Sequence, residues 1–469
     1  MGSDLLTTLV SGVAVALGVL VLYGLIARVM GTEALGDYLL VRRTAFALMG
    51  VLLVGMNIGL PFYIAGGTGH AYTTTALVIW LVLTVPLIGL VSWILSTGQI
   101  TGFPTYLILP FFAFTSAYAL QFLTYGLLRG RLDMRGAALL QLVGTGLIPI
   151  AVFLILRERS VPRLLLFTGL AALTTSGLVY LRLVLLAGSL PQMDKIRQLL
   201  SYGGQRIAGF AAEFVVLGAV PLLILSRSGR TDVAYVNSGI SLLRLFITAV
   251  APLGVVLLPR IARARAQGNS ARIDFGLDVL TKATLLVGAP LALLLGMNSA
   301  TILRVWLGAG NEPGTWILQT ILVALPFYLL VVLLRTPIDA ASSRGYNTLV
   351  YGLAALALLI TFYSLELVGM RSVQRGVISF VIAQVTGAVA SLYLGYRFYR
   401  INIINPRYLV SVLLMLSIAT VLLHAIQSVL VGTAALLGGG AALVVMLGLY
   451  FVTSKSDWVV GLRSLVRVK

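Results

Sequence analysis

The sequence predicts an all-α polytopic membrane protein of about fourteen transmembrane helices. Two six-helix lobes around a central cavity are expected, with two further helices at the C-terminus. Three observations predict this class. Of 469 residues, 59% are hydrophobic and 10% charged, against about 25% charged in a soluble chain. Mean hydropathy is +1.04. Apolar runs of about twenty residues recur, which is the length a hydrocarbon core requires.

The spans follow from those runs, with limits good to about four residues. Leu5–Ala27 is too long for a signal-peptide core and no basic segment precedes it, so it is expected to be a first span and not a cleaved leader. Leu39–Gly59 is the second and carries Arg42 and Arg43 near its start. Thr73–Leu95 and Tyr106–Leu127 come next, the latter closed by Arg129, Arg131 and Arg135. Ala137–Ile155 and Leu164–Leu186 complete the first lobe. Arg206–Leu225 opens the second, and Val233–Leu258 ends at Pro259, which cannot continue a helix ladder. After the longest connection, Pro259–Ala283, come Leu285–Leu303, Thr315–Leu334, Thr348–Leu367 and Val377–Tyr396. Tyr408–Gln427 and Val431–Val452 are the appended pair. The expected division is residues 1–190, 191–400, and 401–469 with a basic cytoplasmic tail. Short connections leave no room for a sizeable extramembrane domain.

With a cytoplasmic N-terminus, twenty Lys and Arg lie in inner connections, span ends and tail, and eleven lie outside. The excess places both termini in the cytoplasm by the positive-inside rule. The net charge of +19 is spread along the chain and not gathered in a tail. It is read as topology control and lipid headgroup contact, with an anionic ligand as a further claimant on the charge and no nucleic-acid partner. There is no cysteine, hence no disulfide and no thiolate metal site. No phosphate-binding glycine loop or nucleophile elbow occurs, so nothing points to ATP hydrolysis or to an enzyme.

An internal repeat supports the two lobes. Leu127-Leu128-Arg129, Asp133 and Arg135-Gly136 recur as Leu333-Leu334-Arg335, Asp339 and Arg344-Gly345. Tyr38 and Pro61, 23 residues apart, correspond to Tyr235 and Pro259, 24 apart. Both copies of the Arg-Asp element fall on one side of the membrane, so the halves run parallel about an axis along the normal.

The motifs carry a resemblance. Ala27-Arg28-Val29-Met30-Gly31 followed by Gly36-Asp37-Tyr38 resembles the "A-R-x-x-G…G-x-Y" signature between the first two spans of polysaccharide flippases. Arg129–Gly136, Leu199-Leu200-Ser201-Tyr202-Gly203, Pro259 and Trp306-Leu307-Gly308 fit the same family in order. These are the Wzx-type (O-antigen or lipid-linked oligosaccharide) members of the multidrug/oligosaccharidyl-lipid/polysaccharide exporter superfamily. The resemblance implies a flippase moving a polyprenyl-pyrophosphate-linked oligosaccharide across the cytoplasmic membrane by alternating access. Membrane lipids and glycan polymerase or transferase machinery would be its partners. In the related peptidoglycan-precursor flippases, arginines of these spans and of span eight line the cavity, and Arg28 and Arg244 resemble those positions most closely.

Ionisable residues inside spans each need a reason, since one costs roughly 2.5–3.5 kcal/mol at mid-bilayer. Arg244 lies about 18 Å from either end of its span at 1.5 Å per residue. Its planar guanidinium suits a pyrophosphate; the alternative is a structural pairing with Glu213 or backbone carbonyls. Arg28, Asp37, Arg42 and Arg43 are candidate substrate-binding residues, with interface snorkelling as the alternative for the arginines. Glu213, about 10 Å into span seven, is read as a proton or sodium coupling group or as a salt-bridge partner of Arg206. No other cofactor is expected. Gly203 and Gly204 are a candidate hinge or a plain loop pair. His70 and His424 are read as structural. A competing function is a cation-coupled drug or metabolite antiporter on the same scaffold, which would need more cavity carboxylates than the spans offer. An integral-membrane glycan polymerase, ligase or glycosyltransferase would need a large outer or carboxylate-rich loop, which is missing.

Overall fold

The computed structural model describes residues 2–64, 69–97, 102–247, 270–341, 345–403 and 405–453. All regular structure among them is helical. Pro259, the second half of span eight, Arg260, Arg263, Arg265, Arg344 and the basic tail beyond residue 453 lie outside the described residues, as does the His70 side chain.

Eleven helices are long and apolar enough to cross a membrane singly, and two bent pairs bring the number to 13. These thirteen correspond one for one to the expected spans except the eighth. That span is represented by a helix over 230–247, where the described residues stop. The large exposed side chains include Val82, Leu109, Ile155, Leu185 and Val444. An apolar exterior of this kind suits contact with lipid tails and not with water.

By their contacts the residues group into Met1–Ser238 and Gly239–Lys469. In the first unit, α1 (Gly2–Met30) precedes α2 (Thr32–Leu52) and the short α3 (Met56–Tyr63). The helices α2 and α3 form one span bent by 51°. The bend has a backbone cause: Val54 and Gly55 both take positive φ, 47° and 69°, which ends the ladder of α2. Then come α4 (Ala71–Ser96), α5 (Ile108–Gly130), α6 (Met134–Ile155) and α7 (Val161–Ala187). Both α4 and α6 contain a π segment, Trp80–Thr84 and Leu142–Leu147. Each lies just before a proline, Pro86 or Pro149. The missing proline N–H leaves an upstream carbonyl without its partner, and the ladder widens there.

The unit closes with α8 (Met193–Gly204), α9 (Ile207–Leu225) and the start of α10 (230–247). The helices α5 and α7 pack tightly together, with α2 against α9 and α3 against α5. A small aromatic cluster joins α3, α4 and α8. Tyr63 stacks on Tyr72 at 5.1 Å between centroids, and Phe62 on Tyr202 at 5.5 Å.

The second unit holds α11 (Ser270–Met297), α12 (Ser299–Leu307), α13 (Thr315–Val323) and α14 (Leu325–Ala341). It ends with α15 (Tyr346–Leu367), α16 (Ser372–Tyr399), α17 (Pro406–Val429) and α18 (Thr433–Thr453). Span nine departs from expectation. Its crossing helix is Ile273–Met297, not Leu285–Leu303. Asp274, Asp278 and Lys282 make the segment look like a connection. Two of these charges neutralise each other one turn apart, Lys282 Nζ lying 2.5 Å from Asp278 Oδ2. Ile273 and Leu277 are fully buried beside them. The residues beyond the break at Asn298 form the separate α12.

Span ten reaches Ala341 and bends by 41° where α13 meets α14; Pro326 follows the break directly and cannot donate back across it. The appended α17 and α18 rest on α11 through Leu294, Ala419, Leu423 and Leu443.

The repeated Arg-Asp element forms a latched turn in both units. Asp133 caps α6 by accepting from the Gly136 N–H at 2.8 Å. Asp339 instead accepts from Asn347 Nδ2 at 2.7 Å, and the same amide donates to the Arg335 carbonyl at 2.8 Å. In each copy the arginine lies against a tyrosine, Arg129 over Tyr125 and Arg335 over Tyr351.

Candidate functional site

The residues of α2 from Leu35 to Ala45 are all buried, so the helix has no polar face turned to solvent there. Its charged residues must therefore find partners inside the protein or pay for their desolvation. The sequence places them at Asp37 and, more than one turn later, at the adjacent Arg42 and Arg43, each with a different solution.

Asp37 is 5% exposed. Its Oδ2 accepts from the Tyr106 hydroxyl at the start of span four and from Arg230 Nη1 at 3.5 Å. Its Oδ1 has no hydrogen-bond partner. The Arg230 guanidinium also lies 5.5 Å from the Tyr106 ring centre. The approach of α2 to α10 is made possible by Gly36. A Cβ there would lie 2.3 Å from the Arg230 carbonyl oxygen, so no larger residue fits without parting the helices.

Arg43, 6% exposed, is bonded to Asn237. Its Nε donates to Asn237 Oδ1 at 3.2 Å and its Nη2 to the Asn237 carbonyl at 3.0 Å. This forked geometry is one a lysine cannot reproduce.

Arg42, 7% exposed, is treated otherwise. Its guanidinium carbon lies 5.0 Å from the Phe46 ring centre and 5.8 Å from that of Tyr23. Nη1 donates one long bond, 3.4 Å, to the Tyr38 hydroxyl. Phe46 in turn packs on Tyr118, 5.1 Å between centroids. Among the described residues no carboxylate pairs with Arg42. Its charge is met by π faces and phenol dipoles, a weaker compensation than an anion gives.

The other expected residues lie elsewhere. Arg28 is exposed on the last turn of α1. Arg244 belongs to the second unit, is exposed on α10, and makes no ion pair among the described residues. Glu213 is half-buried on α9. Its expected alternative partner Arg206 is engaged instead with Tyr202, donating to that carbonyl at 3.0 Å with its guanidinium 3.9 Å from the ring centre. Gly203 has a clear packing reason, since a Cβ there would lie 1.6 Å from the Val54 carbonyl oxygen. Gly204 faces open space. His424 lies exposed on α17, its Nδ1 3.3 Å from the Thr420 carbonyl.

The sequence reading missed Tyr106, Arg230 and Asn237, which complete the α2 cluster. Arg230 counted there as an outer-loop charge and Tyr106 as a span boundary. Only the long-range pairing of α2 with the start of span four and with α10 gives them partners, and no local spacing encodes it.

No protein-family model and no curated protein sequence matches the chain. Solved structures do. "Lipid II flippase MurJ, inward closed conformation" superposes with a TM-score of 0.71 at 13% identity, over 97% of this chain and 99% of that one. An inward-facing multidrug resistance MATE family transporter of the MOP superfamily gives 0.61 at 16% identity, over 85% and 94%. A MOP superfamily transporter from Pyrococcus furiosus gives 0.60 at 14% identity, over 85% and 95%. At such identities the likeness is one of architecture, and the chain has the fold of the MOP-superfamily transporters.

Proposed function

We propose that this protein is a flippase that carries a polyprenyl-pyrophosphate-linked oligosaccharide across the cytoplasmic membrane by alternating access, for cell-surface glycan assembly. In this reading residues 1–190 and 191–400 act as the two lobes, 401–469 are appended, and both termini are cytoplasmic. The protein transports and does not catalyse a covalent step, handing its cargo to a glycan polymerase or transferase. In the same reading Arg28, Asp37, Arg42, Arg43 and Arg244 bind the cargo, and Glu213 couples transport to a proton or sodium gradient. Gly203 and Gly204 serve as the hinge.

The observation that carries the reading is Arg42: a buried guanidinium compensated by aromatic faces and one long hydrogen bond. A permanent charge so placed favours an anionic cargo such as pyrophosphate over the organic cations of an antiporter. The flippase among the structural neighbours also covers 97% of this chain, the two appended helices included, where the MATE transporter covers 85%.

The test is transbilayer movement of a labelled polyprenyl-pyrophosphate oligosaccharide in proteoliposomes, for the native chain, Arg42→Gln and Arg244→Ala. Movement lost in folded Arg42→Gln protein supports the reading. Efflux of a cationic dye without glycolipid movement would replace it by the antiporter.

A further inference from the structure

Five segments of the first unit end together: the C-terminus of α1, the start of α2, the start of span four, the connection into α7 and the start of α10. Between them lies a pocket of about 390 Å³, lined in part by Glu33, Asp37, Tyr106, Arg159, Ser160 and Arg230. Its volume falls within the roughly 300–1,000 Å³ typical of small-molecule sites.

The lining selects a ligand class. Two carboxylates and two guanidiniums cancel in formal charge. A pyrophosphate would meet Glu33 and Asp37, and an organic cation would meet Arg159 and Arg230, so neither ion gains a net field. Hydrogen-bonding groups of both kinds are present in quantity. The Asp37 carboxylate lines the pocket, and its Oδ1, in a side chain more than nine-tenths buried, has no donor. An orphaned buried acceptor is costly and calls for a hydroxyl or amide hydrogen. Ser160 precedes α7 without making a side-chain cap, so its hydroxyl and the Val161 and Arg163 N–H groups remain as donors, Pro162 having none. Tyr106, half exposed, adds a ring wall braced by Arg230.

We infer that this pocket is a subsite for an uncharged, hydroxyl-bearing sugar unit. The inference rests on the flippase reading for the source of that sugar, which is the glycan of the lipid-linked cargo. It assigns the pyrophosphate no place here. Under the expected orientation the pocket opens on the outer side, where a headgroup would arrive before release. Asp37 accepts from a sugar hydroxyl, while Arg159 and Arg230 donate to ring or hydroxyl oxygens.

The experiment measures saturation-transfer NMR of the full chain in nanodiscs with N-acetylglucosamine, glucose, inorganic pyrophosphate and tetraethylammonium. Arg159→Gln, Asp37→Asn and the control Arg197→Gln are compared with the native chain. Arg159 is exposed, so its variant folds even if the buried Asp37→Asn does not. Saturable binding of a neutral saccharide is expected, weakened about tenfold in Arg159→Gln, as for loss of one charge-assisted hydrogen bond, and unchanged in Arg197→Gln. No saccharide binding, or binding that Arg159→Gln leaves intact, overturns the inference. So does pyrophosphate or tetraethylammonium binding that Arg159→Gln abolishes. Glycolipid movement is measured on the same preparations. Saccharide bound at this pocket without glycolipid movement refutes the flippase reading and makes free saccharide the ligand; movement without saccharide binding refutes the subsite alone.

Discussion

Replacing Gly36 by alanine tests the junction on which the α2 cluster depends. The new methyl carbon would sit 2.3 Å from the Arg230 carbonyl oxygen and 3.1 Å from its carbon. Ordinary contact begins near 3.4 Å, so α2 and α10 must part by about an ångström, which overpacking studies put at about 1–3 kcal/mol. Alanine returns about 0.5–1 kcal/mol through helix propensity. The steric term wins, for a net loss of about 1–2 kcal/mol. The same substitution at Gly12, Gly177 or Gly352, where a Cβ meets nothing within 4 Å, has only the propensity term and should be neutral or stabilising. Because the chain has no cysteine, a single introduced cysteine gives a clean second readout. Ser238→Cys, at a fully buried position of α10, should resist maleimide in the parent and react in the Gly36→Ala background. Thermal midpoints in nanodiscs for the four alanine variants give the energetic comparison. If Gly36→Ala tracks Gly177→Ala, and the Ser238→Cys thiol stays protected, the packing argument for the site is wrong.

Three further outcomes follow from the same geometry. Arg43→Met should lower stability by about 2–4 kcal/mol, through two lost charge-assisted bonds and a stranded Asn237, and Arg43→Lys should recover little of it; denaturation midpoints check both. Asp133→Ala should cost about 1 kcal/mol as a lost helix cap, and Asp339→Ala a similar amount, since both latch the start of the next helix; hydrogen exchange at the first turns of α6 and α15 would localise the loss. On the proposed function, Glu213→Gln should leave passive exchange of glycolipid intact while abolishing acceleration by an imposed proton or sodium gradient. Equal acceleration in both proteins would remove Glu213 from coupling.

Composition and run length were enough to find the thirteen spans seen among the described residues, because a hydrocarbon slab imposes the same length requirement on every one of them. The spans that resisted are those where polar groups pair within the protein. Asp278 and Lys282 extend α11 twelve residues before its apolar run is obvious, because each removes the other's charge. The bend at Val54 and Gly55 leaves no mark in hydropathy, since it depends on φ alone. For the candidate site, the Gly36-Asp37-Tyr38 motif lies on the helix that carries the buried cluster, while the partners Tyr106, Arg230 and Asn237 lie 69 to 194 residues away from the residues they bind. Each carries an ordinary identity for its place in the chain, so only the tertiary pairing gives it a role.

Adjacent arginines on α2 show why burial by itself does not identify a binding residue. Arg43 directs a fork of donors at Asn237 from within a tightly packed contact, and its removal would strand those acceptors. That fork would hold Arg43 in place with or without a cargo. Arg42 has comparable burial and a weaker set of partners, phenol and phenyl groups that tolerate a cation without demanding one. Replacing a poorly compensated buried charge by an apolar side chain of similar volume is often neutral or stabilising. A chain under selection for stability alone would thus gain little by keeping arginine at position 42. On the proposed function its presence is explained by an anionic cargo, whose charge would add to the weak compensation that Tyr23, Tyr38 and Phe46 give.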